Sequence, residues 1–254
     1  MELVALGTCG VYPGPGRACA GWLVESGATR LLLDCGHGVL ANLQTRLPLH
    51  DLTAILITHL HADHFLDLIP FRYAIKYGPP GPRPHPTLYL PQDGLDALMQ
   101  SVAVLDPDPD FFTACFDVRH YTPDVPLTVG GLRVALAPTV HPVPTCAVAV
   151  SEPGGGRAVY SSDTGPSPVV EELARGADLF ICEATLSSPE DEAGRPRVHL
   201  APEEAAEMAT RAGVGRLVLT HVPPYRDPAT ALPAAQQRFS GPVLAARDGE
   251  TFRI

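Results

Sequence analysis

Six residues, His59-Leu-His-Ala-Asp-His64, constrain this chain more than any other stretch. They place four metal-ligand side chains directly behind the apolar run Thr53-Ala-Ile-Leu-Ile-Thr58, which reads as a buried strand. Residues two apart on an extended backbone project to one side, so His59 and His61 can converge on one ion. Asp63 and His64, on the following turn, address a second. A solvated histidine-rich loop has no reason to keep this spacing behind a buried strand. Imidazole and carboxylate together suit zinc, with manganese and iron as neighbours, and two ions about 3.5–4 Å apart are the usual apparatus for hydrolysing phosphate esters and amides.

Three further ligand types stand at the ends of strand-like runs. His141 follows Leu136-Ala-Pro-Thr-Val140, Asp163 follows Ala158-Val-Tyr-Ser-Ser162, and His221 follows Leu217-Val-Leu-Thr220. A lone histidine after a strand is usually structural. Four separate strand ends that each deliver a ligand point instead to a common centre. His37, in Asp34-Cys-Gly-His-Gly38, has no ligand partner nearby and reads as a structural or supporting residue. The run Asp106-Pro-Asp-Pro-Asp110 invites a calcium reading, but its prolines break the required spacing and no glutamate closes it, so an acidic surface turn is expected. The loop Gly7–Gly16 lacks the Lys-Ser/Thr of a phosphate-binding loop; it reads equally as a plain turn or as a loop approaching substrate.

A chain of 254 residues with 45% hydrophobic content can bury one sizeable core, and one domain over 1–254 is expected. Its 28 acidic and 18 basic side chains give a net charge of −10, with no run of Lys or Arg. That charge disfavours extended nucleic acid, which needs a basic stripe, while a small anionic substrate at a local metal site remains compatible. No stretch approaches a membrane span and no basic leader opens the sequence, so a cytoplasmic location is expected. The six cysteines are scattered, without a Cys-x-x-Cys pair, and read as reduced, mostly buried thiols.

Periodicity places strands at 2–6, 21–26, 29–34, 53–58, 132–140, 145–150 and 157–161, and helices at 39–46, 67–77, 95–104 and 202–212. A proline-dense connector covers 78–86, and the region 87–122 reads as a strand, a helix and a loop at the rim of the site. The second half uses the same grammar as the first.

The pattern His-x-His-x-Asp-His, then a lone His, a lone Asp and a last His, resembles the metallo-β-lactamase superfamily over nearly the whole chain. The resemblance implies a four-layer αββα sandwich with a dinuclear site at one edge of the two sheets. It implies that His59, His61 and His141 hold one divalent ion, that Asp63, His64 and His221 hold the other, and that Asp163 bridges them. Cys182-Glu-Ala-Thr185 and Val198-His-Leu-Ala-Pro-Glu-Glu204 narrow the likeness to ribonuclease Z and its relatives, in which His199 is a non-ligand catalytic histidine paired with Glu183. Two positions depart from that pattern, with Cys182 in place of histidine and Ser162 in place of glycine.

Ribonuclease Z carries a long arm between the lone His and the bridging Asp, yet here His141 and Asp163 stand only 22 positions apart. The chain is therefore more similar to compact cyclic-nucleotide phosphodiesterases of the atypical class II kind. Implied is hydrolysis of a small phosphodiester such as cyclic AMP, with a metal-held hydroxide as nucleophile, Asp63 orienting it or taking its proton, and His199 assisting the leaving oxygen. An RNA 3′-end nuclease and a thioester or lactone hydrolase are the alternatives, and a homodimer is common among relatives.

Overall fold

A strand that is apolar at every position must be covered on both faces. Leu31-Leu-Leu33 and Ala54-Ile-Leu-Ile57 are of this kind, and their side chains alternate between two different cores. Leu31, Leu33, Ala54 and Leu56 join one cluster, whereas Leu32, Ile55 and Ile57 join another on the opposite face. The period of two thus dictates a layered architecture before any topology is considered.

The computed structural model describes residues 1–79 and 85–254, so most of the expected 78–86 connector lies outside the described residues. In the first half, strands β1 (Glu2–Gly7), β2 (Gly21–Ser26) and β3 (Thr29–Leu33) form a meander, then helix α1 (Val39–Arg46) leads to β4 (Ala54–Leu56). Helices α2 (Ala62–Phe65) and α3 (Leu68–Tyr77), strand β5 (Thr87–Leu90), helix α4 (Gly94–Val102) and strand β6 (Asp117–His120) follow. The second half runs β7 (Leu127–Val129), β8 (Leu132–Pro138), β9 (Cys146–Ser151), β10 (Arg157–Tyr160), α5 (Pro168–Ala174) and β11 (Leu179–Glu183). It ends with α6 (Pro202–Ala212), β12 (Leu217–Thr220), α7 (Leu232–Gln236), β13 (Val243–Ala245) and β14 (Thr251–Arg253).

The two sheets have the orders β14-β1-β2-β3-β4-β5-β6 and β13-β12-β11-β10-β9-β8-β7. Taken from β14 and from β7, each sheet makes three antiparallel pairings and then three parallel ones. The similar grammar of the halves is therefore a repeated sheet topology. Between the sheets lies a core that joins Trp22, Leu31, Leu33 and Leu56 to Val134, Val148, Leu179 and Ile181. On the outer faces, α1, α3 and α4 cover the first sheet and α5 and α6 the second, completing the four-layer αββα sandwich the sequence implied.

Each expected strand end falls within two residues of the observed one. The ladder of β4 stops at Leu56 because Thr58 gives its amide to the Asp34 carboxylate instead of to a neighbouring strand. The six cysteines are all free and buried, as read. Cys182, one of the two departures from the ribonuclease Z-like pattern, faces the helices outside the second sheet and not the site. Among the described residues, no helix is long and apolar enough to cross a membrane.

Candidate metal centre

Every candidate ligand sits just beyond the carboxyl end of a strand. His59, His61, Asp63 and His64 follow β4, His141 follows β8, Asp163 follows β10 and His221 follows β12. The strands bring these seven side chains to one edge of the sandwich, where their ligand atoms form two touching groups. His59, His61, His141 and Asp163 make one, and Asp63, His64 and His221 the other; within each, all ligand atoms lie within 4.8 Å of one another.

Asp163 stands between them with its two oxygens divided. Its Oδ2 faces His59 Nε2 at 3.8 Å and His141 Nε2 at 3.7 Å, while Oδ1 faces His64 Nε2 at 3.3 Å and His221 Nε2 at 3.4 Å. Asp63 Oδ2 lies 3.2 Å from His221 Nε2. His59 Nε2 and Asp163 Oδ1 are buried without a hydrogen-bond partner, and the His141 Nε2 and His61 Nδ1 nitrogens point at each other 3.0 Å apart. Orphaned lone pairs converging in this way cost free energy unless a cation meets them, so the donor set fits divalent metal ions. Electrostatics agrees. Burial would raise Asp163, but the His221, His64 and His59 rings hold its carboxyl far below the usual range. Burial, first of all, lowers the His59 pKa and keeps its ring neutral.

Hydrogen bonds on the outer side of each ring decide which nitrogen is free. His64 Nδ1 donates to Asp34 Oδ2 at 2.7 Å, and His141 Nδ1 donates to the Val198 carbonyl at 3.2 Å. The Thr58 hydroxyl donates to Asp34 Oδ2, and so accepts from His59 Nδ1 at 3.2 Å. Likewise the Thr185 hydroxyl donates to Glu183 Oε2 and accepts from His221 Nδ1 at 2.9 Å. Four imidazoles are thereby fixed with Nε2 bare and turned inward.

Glu183 ends β11 with its carboxylate fully buried. Its oxygens accept from Thr164 N, Thr185 Oγ1, Leu200 N and His199 Nδ1, the last at 3.0 Å, so one side chain ties the Asp163 loop to the His199 segment. His199 remains partly open and closes a third group with Asp163 and His221. Burial would lower its pKa, but the Glu183 carboxylate outweighs burial and raises it to about 9. The helix behind it needs nothing from His199, because Glu204 Oε2 accepts from Ala201 N at 2.9 Å and Pro202 opens α6.

Sequence reasoning missed the supporting residues. Asp34 is buried and accepts from Thr58, His64 and Tyr160; its signal was the same apolar run ending in a ligand type, Leu31-Leu-Leu-Asp34. The glycine-rich loop, left open between turn and substrate contact, reaches the cluster, where Val11 N donates to Asp63 Oδ2 at 2.7 Å. Backbone strain collects here as well. Of six described non-glycine residues with positive φ, four, Val11, Asp34, Ser162 and His221, border the centre. Ser162, the other departure from the ribonuclease Z-like pattern, takes φ of 52°, and its hydroxyl is 2.7 Å from Thr58 Oγ1.

Gly10 offers a direct test of this packing. A Cβ there would lie 2.6 Å from the His221 carbonyl and 2.7 Å from its Nδ1, a space the ring already fills. Gly10→Ala is therefore expected to displace His221 and weaken metal binding by roughly 10–100-fold, the range for disturbing a ligand's support. Metal titration with a competing chelator measures this, and an unchanged affinity would mean that the loop yields instead.

Two other expectations resolve away from the centre. His37 is exposed and faces Asp67 at 3.5 Å, a structural placement. The Asp106–Asp110 turn receives the buried Arg72 guanidinium, with Asp108 Oδ2 2.7 Å from its NH2, so its carboxylates answer an internal cation.

Residues 29–222 match the family described as the beta-lactamase superfamily domain. An uncharacterised protein of Mycobacterium leprae is 35% identical over 100% of this chain and 89% of its own length. Ribonuclease Z of Mycobacterium bovis is 31% identical over 98% of this chain and 96% of its own. The crystal structure of the metallo-beta-lactamase fold protein YhfI from Bacillus subtilis superposes with a TM-score of 0.87 at 28% identity, covering 99% of both chains.

Proposed function

This chain belongs to the metallo-β-lactamase superfamily of metallo-hydrolases, and we propose that it cleaves a small phosphodiester, a 3′,5′-cyclic nucleotide such as cyclic AMP. The observation that carries the reading is the division of Asp163, whose two oxygens face two separate histidine groups. In this reading His59, His61 and His141 hold one ion, Asp63, His64 and His221 the other, and Asp163 serves both. Zinc suits the donor set, with manganese or iron as alternatives. Two bound dications would supply Lewis acidity toward the phosphoryl oxygens and a water acidic enough to attack near neutral pH.

The chain's own residues supply the rest. Asp63, anchored by Val11 N, orients the attacking water or takes its proton. His199, held through Nδ1 by Glu183, presents Nε2 with a proton for the departing oxygen. Cations in the adjacent groups would draw its raised pKa back toward neutrality, where a general acid is most effective. A thioester or lactone hydrolase would use the same metals without a histidine so placed, and the buried Glu183 carboxylate that holds His199 against the Asp163 loop favours the diester reading.

The segment between His141 and Asp163 supports a small substrate. It holds β9, a turn at Glu152–Gly156 and β10, with no projecting arm. With a net charge of −10 as well, a tRNA body would gain little binding energy remote from the reacting phosphate. The second reading, RNA 3′-end processing, is favoured by the likeness to ribonuclease Z of Mycobacterium bovis. Metal-loaded protein given cyclic AMP, a 3′-tailed precursor tRNA and an aryl diester separates them. We expect kcat/KM to be highest on the small diesters and poor on tRNA. Efficient tRNA maturation, with binding that collapses as salt rises, would overturn this.

A further inference from the structure

Beside the centre lies a groove of about 390 Å³ that has His141 in its wall. It is large enough for a flat ring system and continuous with one of the two ligand groups. Its sides are mostly rigid and apolar, with the rings of Pro91, Pro123 and Pro142 and the side chain of Val143. Among the described residues no Lys or Arg lines it, so none of them would neutralise a second phosphate or a continuing nucleic-acid backbone. The weakly positive C–H bonds of proline rings pack against the negative face of an aromatic ring.

The polar inventory is short. The hydroxyls of Thr139 and Thr145 are committed to the carbonyls of Asp163 and Val143. Gln92 and Asp93 are exposed, and among the described residues their side chains have no partner. Asp93 is the more telling: it stands at the N-cap of α4 with φ of 62° and yet makes no capping bond, which leaves its carboxylate an acceptor uncommitted among the described residues. A carboxylate repels anions and accepts N–H donors, and a glutamine amide both donates and accepts. A neutral heterocycle with an amino group satisfies every one of these walls.

We propose that this groove is the subsite for the nucleobase of the diester and that it selects an amino-bearing purine over uracil; the assignment rests on the phosphodiesterase reading for its place in a reaction, though not for binding. The base lies against the proline faces, its N–H donors meet Asp93 and Gln92, and the ribose passes His141 toward the reacting phosphate. The groove would thus set which diester is cleaved, while the metal centre sets that a diester is cleaved.

The test uses three substrates of the metal-loaded enzyme: cyclic AMP, cyclic UMP and methyl 4-nitrophenyl phosphate, a diester without a base. Wild type is expected to favour cyclic AMP over cyclic UMP by about tenfold or more in kcat/KM. Val143→Trp, which fills the groove, should lower the ratio of cyclic AMP to methyl 4-nitrophenyl phosphate turnover by about 10–100-fold, chiefly through KM. Should that variant not fold, Asp93→Asn and Gln92→Ala at exposed positions should erode the preference for adenine over uracil. Equilibrium binding of adenosine, which has no phosphate, gives a readout independent of turnover, and Val143→Trp should weaken it by at least about tenfold. Cleavage of the base-less diester without adenosine binding or any adenine preference overturns the groove and leaves the phosphodiesterase reading standing. Adenosine binding lost in Val143→Trp, with all three diesters inert, does the reverse.

Discussion

Replacing Asp163 by Ala is expected to give a folded protein that holds well below two divalent ions and turns over any diester at least about 10²–10³-fold more slowly, the scale for losing one preorganised electrostatic group. The expectation follows from where the negative charge lies. Of the two ligand groups, the one built from His59, His61 and His141 has no anionic donor besides Asp163, whereas His64 and His221 retain Asp63. Loss of Asp163 therefore leaves the first group with neutral imidazoles alone, and that position should empty first. Asp163→Asn, which keeps the shape but loses the charge and one acceptor, should fall between the two. Elemental analysis after dialysis, alongside thermal unfolding to confirm the fold, decides the matter. Two tightly held ions in both the wild type and Asp163→Ala would remove Asp163 from its place between the groups.

Much of this arrangement was legible because its signals were local. A ligand type directly behind an apolar strand can be read from neighbouring letters, and His59, His141, Asp163 and His221 all have that form. Layering was equally readable, since runs such as Leu31-Leu-Leu33 admit no exposed face. What escaped were contacts set by loop geometry. Nothing in Gly7–Gly16 announces that Val11 will adopt φ of 71° and give its amide to Asp63. Asp34 serves a histidine 30 positions away, and Thr185 one that is 36 away, each through a hydrogen bond whose partner is fixed only once strands β3, β4, β11 and β12 are aligned. The groove beside His141 is likewise assembled from the β5–α4, β6–β7 and β8–β9 connections, which no sequence window joins. Of the 87–122 region, expected at the rim, Pro91, Gln92, Asp93 and Tyr121 lie beside the loop that follows His141.

Replacing His199 by Ala should separate chemistry from structure. The side chain touches Glu183 and completes a group with Asp163 and His221, yet it lies outside the two ligand groups proposed to hold the ions. Helix α6 draws its start from Pro202 and the Glu204–Ala201 bond, and Glu183 keeps Thr164, Thr185 and Leu200 as donors after the histidine is gone. Both ions and near-normal stability should therefore be retained. If His199 gives a proton to the departing oxygen, turnover of a diester with a poor leaving group, such as a cyclic nucleotide, should fall by roughly 10²–10⁴-fold. An aryl diester, whose leaving group needs little protonation, should lose far less. The split between the two substrates is the diagnostic, because a histidine that merely shapes the cleft would slow both alike. Equal losses, or loss of metal, would take His199 out of the acid role and leave it as a residue that positions the Asp163 loop through Glu183.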